Sequence, residues 1–196
     1  MPHDARLSTL RSQFSLFRKV EMLPSRQPSL RPVDVVVALH LVLRPEDGYE
    51  TVADSLGIGL GSGHRSVKRL MAGGLVLPHR RAVNRKALLD FLVYGVPHVF
   101  YGILGAEAQG VPTAHSGPLL SERLESTGVI VWPSAEGRIR GESLIPLYDG
   151  AAGLIHRSPE LYDLLTLVDA LRVGRARERR LAAELLEARL REAPAE

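Results

Sequence analysis

Gly48 to Val76 reads GYETVADSLGIGLGSGHRSVKRLMAGGLV, and the recurrence of its apolar residues decides how this part of the chain folds. Val52, Ala53 and Leu56 fall on one side of a short helix starting at Tyr49. Gly57-Ile58-Gly59-Leu60-Gly61 then makes a corner, because glycine weakens helices and tolerates left-handed backbone; Ile58 or Leu60 is expected to plug the space beneath it. A second helix is expected over 62–73, capped by Ser62, with Val67, Leu70 and Met71 at i, i+3 and i+4 on its inner face. His64, Arg65, Lys68 and Arg69 fall largely on the outer face, and no acid stands among them.

The charge distribution repeats that bias. The formal net charge is only +3, but residues 55–89 hold seven cations, Arg65, Lys68, Arg69, Arg80, Arg81, Arg85 and Lys86, and no Asp or Glu. The rest of the chain is therefore net negative. A solvated surface normally mixes signs, so an acid-free window of this length points to a polyanionic partner that carboxylates would repel. The bland alternative is chance clustering of arginines.

The flanks extend the pattern. Leu7, Leu10, Phe14 and Phe17, at 3-4-3 spacing, predict an amphipathic helix over about 6–22, ended by Pro24, Pro28 and Pro32. The run VDVVVALHLVL after Pro32 is too apolar for a surface helix and predicts a buried one, with His40 in the core or at its boundary, stopped by Arg44-Pro45-Glu46-Asp47-Gly48. Downstream, LVLPHRRAV predicts a strand from Leu75 to Leu77, a tip at Pro78-His79-Arg80-Arg81 and a short return, after which Asn84 caps a helix from Arg85 to Tyr94.

These residues carry a family resemblance. The segments TVADSLGI, SVKRL and GGLV resemble the positioning helix, recognition helix and exit strand of winged helix-turn-helix transcriptional regulators, including the MarR-like group, over about residues 32–95. The glycines at 57, 59 and 61 make a looser corner than the compact turn of most members. The resemblance implies a DNA-binding surface. Ser62, His64, Arg65, Lys68 and Arg69 would face base edges or the nearest phosphates, Arg80 and Arg81 would enter the minor groove or clamp the backbone, and Arg85 and Lys86 would hold phosphates.

Beyond Tyr94 the composition changes. GVPHVFYGILGAEAQGVPTAHSGPLL is rich in glycine and proline, and GVIVWPSAEGRIRGESLIPLY predicts two or three short strands with a turn near Ala135-Glu136-Gly137 and Trp132 in the core. His98, His115 and His156, with Glu107 and Asp149, are the constellation a metal or a general base would use. No two of these histidines have helical metal-ligand spacing, Ser116 lacks a G-x-S-x-G elbow, and GAEAQG is not a phosphate loop. No enzymatic activity, metal or cofactor is expected. The chain has no cysteine, which excludes disulfides and thiolate zinc sites.

Ser158-Pro159-Glu160 predicts a helix start, followed by a stripe of Leu161, Leu164, Leu165, Val168 and Leu171 and a break at Gly174. A last helix over about 175–191 carries Leu181, Leu185, Leu186 and Leu190, with the i, i+4 pairs Arg180/Glu184 and Glu187/Arg191. Arg175, Arg177, Arg179 and Arg180 are interleaved with Glu178, Glu184 and Glu187 and read as a solvated face.

The expected class is α+β: an N-terminal helical arm (1–31), a winged helix-turn-helix DNA-binding domain (32–95), a small β-containing unit (96–157) and two C-terminal helices (158–196) for dimerisation or partner binding. The function expected is that of a cytoplasmic, sequence-specific transcriptional regulator, a repressor binding double-stranded DNA as a homodimer, with no membrane association. The competing expectation is an antitoxin-like or accessory protein that binds a partner protein, such as a nucleotidyltransferase-like toxin, through residues 96–196 and autoregulates its operon.

Overall fold

The apolar run after Pro32 forms α1 (Pro32–Leu43), in which every residue from Asp34 to Val42 is buried. A helix apolar on all sides is stable only when surrounded. The computed structural model, which describes residues 28–78 and 82–193, shows what surrounds it. On one side lie α2 (Tyr49–Leu56) and α3 (Leu60–Ala72); on the other lies α8 (Pro159–Val173). The arm helix expected over 6–22 lies outside the described residues.

The corner between α2 and α3 follows from its glycines. Gly57 ends α2 in the left-handed region at φ +65°, which side chains rarely adopt, and Ile58 N then bonds back to Ala53 O at 2.9 Å. Ile58 packs against the core and Leu60 is exposed. Helix α3 starts at Leu60, two residues before the expected Ser62, and its N-cap is Gly59, whose carbonyl accepts from Ser62 N and Gly63 N. Ser62 therefore sits inside the first turn rather than capping it.

After α3 the chain turns at Gly73-Gly74 and Val76 pairs antiparallel with Val83, reinforced by Leu77 N to Ala82 O at 2.7 Å. Residues 79–81, the expected tip, lie outside the described residues. Asn84 caps α4 (Arg85–Asp90), its side-chain oxygen accepting from Ala87 N at 3.1 Å. The helix expected to run to Tyr94 widens into a π-type turn at Phe91–Gly95 and then tightens into α5 (Val96–Val99).

The β-containing unit has β1 (Leu104–Pro112), a short α6 (Pro118–Ser121), β2 (Ile130–Pro133) and β3 (Ile139–Leu144). Strand β1 pairs antiparallel with both others and β2 runs parallel to β3, so three strands close on themselves. Glycine permits that closure. A Cβ on Gly110 would lie 2.1 Å from Trp132 O, and one on Gly137 would lie 2.2 Å from the Gly110 backbone.

Helix α7 (Leu154–Arg157) leads into α8, and α9 (Ala176–Glu192) packs back on it. Leu161, Leu164, Leu165, Val168 and Leu171 are at most 3% exposed. Dimerisation of the C-terminal helices therefore cannot use this stripe, since α8 is enclosed by α1, α5, α6, α7, α9 and the turn at Ala114–Ser116 of its own chain. Periodicity shows that a face is buried, but not what buries it. The core is continuous: buried residues of 32–95, 96–157 and 158–193 form one cluster.

Candidate functional site

Burial divides α3 into two faces. Gly63, Ser66, Val67 and Leu70 are buried, Met71 packs at the core's edge, and His64, Arg65 and Lys68 are exposed. The Arg65 guanidinium donates to Ser62 Oγ at 3.2 Å, so these two polar groups lie side by side one turn apart. His64 stands edge-on to Tyr49 of α2, with ring centroids 4.9 Å apart. Ser62, His64, Arg65 and Lys68 thus share the solvent side of a helix whose other side is fixed in the core.

Arg69 points elsewhere. Its Nε and one terminal nitrogen grip both oxygens of Asp34, at 2.7 and 2.6 Å, and Asp34 is 1% exposed. Asp34 also accepts from Arg31 N at 2.8 Å at the start of α1. The side-chain hydrogen bond to Asp34 raises the pKa of Arg69, with its charge adding to the effect against the cost of burial. A bidentate pair of this kind fixes orientation as well as charge, so Arg69 locks α3 to the N-terminus of α1. Asp34 had no functional assignment in the sequence. Its only local signal is an acid in the first turn of a helix.

The cations after the hairpin divide similarly. Arg85 donates from one guanidinium nitrogen to Leu190 O and Ala193 O, both at 3.0 Å, and so satisfies carbonyls at the C-terminus of α9. Lys86 projects into solvent beside Asp90, Nζ to Oδ2 2.7 Å, and the bond to Asp90 raises its pKa. Such an exposed pair is weak enough for an anion to displace the acid. Arg80 and Arg81 lie outside the described residues. Formal charge in the acid-free window thus overstates the cations presented by α3 and α4, because Asp34 neutralises Arg69 from another part of the chain.

His98, His115 and His156 do not form a centre. His98 and His156 are exposed, whereas His115 is buried, its Nε2 3.3 Å from Gly128 O and its Nδ1 3.8 Å from Glu178. Among the described residues, no group of three His, Cys, Asp or Glu could hold a metal ion. His115 lies in a groove of about 760 Å³ between the strands and the α8–α9 junction, where Arg140, Arg175 and Arg177 mix with Glu107, Glu142 and Glu178. This mixture selects no single charge of ligand. Trp132 is in the core, as its strand pattern predicts, and donates to Asp169. Among the described residues, no helix is long and apolar enough to cross a membrane.

Comparisons with protein-family models, curated proteins and solved structures find no match for this chain.

Proposed function

We propose that the protein is a sequence-specific DNA-binding transcriptional regulator of the winged helix-turn-helix type, acting as a dimeric repressor. One observation carries this reading: α3 presents Ser62, His64, Arg65 and Lys68 to solvent with no acid on the helix, while Val67, Leu70 and the Arg69–Asp34 lock hold its opposite side rigid. A helix held in this way fits the major groove, where an arginine can donate two hydrogen bonds to guanine. The Val76–Val83 pairing sets the hairpin beside it, so that Arg80 and Arg81 at its tip would meet the minor groove or backbone. Lys86 supplies a phosphate contact. A single helix of this length reads one half-site, so specific binding calls for a second copy. The twofold contact then lies outside the buried α8 stripe.

The proposal is tested by selecting bound duplexes from a random pool and titrating the winner across ionic strength. Log affinity should fall linearly with log salt by about 0.9 per phosphate contact, a slope near −3 if Arg65, Lys68 and Lys86 each meet a phosphate, and steeper if Arg80 and Arg81 join them. A flat response would contradict an electrostatic footprint.

Individual side chains separate reading from holding. Arg65→Ala should lose roughly 1–3 kcal/mol on the selected duplex and relax preference at one or two base pairs, whereas Lys86→Ala should weaken selected and random duplexes alike. Equal losses on both duplexes for both variants would show that α3 does not read bases.

A further inference from the structure

The groove of about 760 Å³ beside His115 has the size of a small-molecule site. Among its lining groups are two acceptors that share no donor. His115 Nε2 lies 3.3 Å from Gly128 O, and a carbonyl only accepts, so Nε2 carries the ring proton and Nδ1 of the neutral ring is an acceptor. Nδ1 stands 3.8 Å from Glu178 Oε1, too far for a hydrogen bond, and the two side chains are only 10% and 12% exposed. The Glu178 carboxylate is held in place, Oε1 accepting from Ser126 Oγ at 3.0 Å and Oε2 from Arg175 N at 2.7 Å. Among the described residues, no Lys or Arg forms an ion pair with it.

The rim carries both signs. Arg140, Arg175 and Arg177 are exposed, and among the described residues none of them forms an ion pair. Glu107 and Glu142 stand opposite each other on β1 and β3, a like-charged cross-strand pair. A purely anionic ligand would meet these carboxylates, and a simple amine would meet the three guanidiniums. The lining therefore favours a molecule with one charge of each sign. We propose that the groove binds a small zwitterion of the amino-acid or dipeptide class. Its ammonium lies between Glu178 Oε1 and His115 Nδ1, since acceptors 3.8 Å apart both fall within hydrogen-bond length of one nitrogen. Its carboxylate takes the rim guanidiniums, which suit that group geometrically as well as by charge. Leu124 and Ile130, both buried, give its side chain an apolar wall.

The test is isothermal titration of the full chain, with no DNA present, against each common L-amino acid and the corresponding glycyl dipeptide. At least one compound should saturate a single site per chain. Its C-terminal amide and its N-acetyl form each lack one charge and should bind at least about tenfold more weakly. His115→Gln keeps a donor for Gly128 O but removes the Nδ1 acceptor. It should weaken the free compound about tenfold and leave the affinity of the N-acetyl form unchanged. Arg140→Ala/Arg175→Ala/Arg177→Ala alters only exposed side chains, so it leaves the core intact; it should weaken the free compound about tenfold and leave the amide unchanged. Unfolding followed by Trp132 fluorescence confirms that each variant titrated is folded. Failure of every compound to saturate a site, blocked forms that bind as tightly as the free one, or a folded triple variant with unchanged affinity would each overturn the proposal. Because DNA is absent throughout, the result is independent of the duplex titration.

Discussion

Asp169→Ala will lower unfolding stability by about 3–5 kcal/mol, the range for removing one partner of a buried ion pair. The Asp169 carboxylate is 1% exposed and takes three donors from three parts of the chain: Trp132 Nε1 at 2.6 Å, Thr113 Oγ1 at 2.8 Å and an Arg172 guanidinium nitrogen at 2.5 Å. Arg172 in turn donates to Phe100 O at 2.7 Å, to Tyr101 O and to Ile145 O. One carboxylate therefore ties α8 to β2, to Thr113 just past the end of β1 and, through Arg172, to the segments flanking the strands. Its loss leaves a guanidinium 4% exposed without its counter-charge and leaves the Trp132 and Thr113 donors unpaired, each a cost of roughly 1–3 kcal/mol when buried. Asp169→Asn, which keeps the shape and one acceptor but removes the charge, should fall between the two. Urea unfolding followed by Trp132 fluorescence measures all three proteins. An unchanged midpoint in Asp169→Ala would mean that packing alone joins the strands to the helices.

Asp34→Ala should cost about 3 kcal/mol, at the low end for a broken buried pair because the Arg69 side chain keeps 14% of its surface in water. Arg69→Met, which removes the charge but fills the space, should cost less than Arg69→Ala. The pair also has a distinctive effect on binding. If Arg69 positions α3 by gripping Asp34, Asp34→Ala and Arg69→Ala should both weaken operator binding, and their double variant should be little worse than either alone. If Arg69 instead contacted phosphate directly, releasing it with Asp34→Ala would strengthen binding. The opposite signs make Asp34→Ala the informative variant, with thermal unfolding run beside the titration to confirm that the protein titrated is folded.

What could be read in the sequence follows the range of the interactions involved. The α2–corner–α3 unit and the return past Val83 depend on residues within a few positions of one another, such as the left-handed Gly57, the inward Val67 and Leu70, and the cap at Asn84. Local patterns carry that information. The start of α3 was misplaced because Gly59 serves as N-cap without a side chain to advertise it, while Ser62 has the composition of a cap. Arg69 read as an outer cation because its partner is 35 residues away, and Arg85 read as a phosphate ligand because its acceptors are 105 and 108 residues away. Helical spacing does not record such partners. The α8 stripe shows the same limit: spacing places its five apolar positions on one face, but the surface that covers them comes from elements distant in sequence. The closure of β1, β2 and β3 depends on backbone contacts at Gly110 and Gly137, positions that in the sequence are merely glycines in a glycine-rich segment.

The central claim is that the solvent face of α3 binds DNA, and a titration of the selected duplex with Arg65→Glu/Lys68→Glu tests it most directly. Both side chains are exposed and neither is bonded to an acid among the described residues, so their reversal should leave the unfolding midpoint in place. At roughly 1–3 kcal/mol for each lost contact, with repulsion from phosphate added, affinity should fall on the order of a thousandfold. A folded double variant that binds the selected duplex as tightly as the unaltered chain would contradict the account.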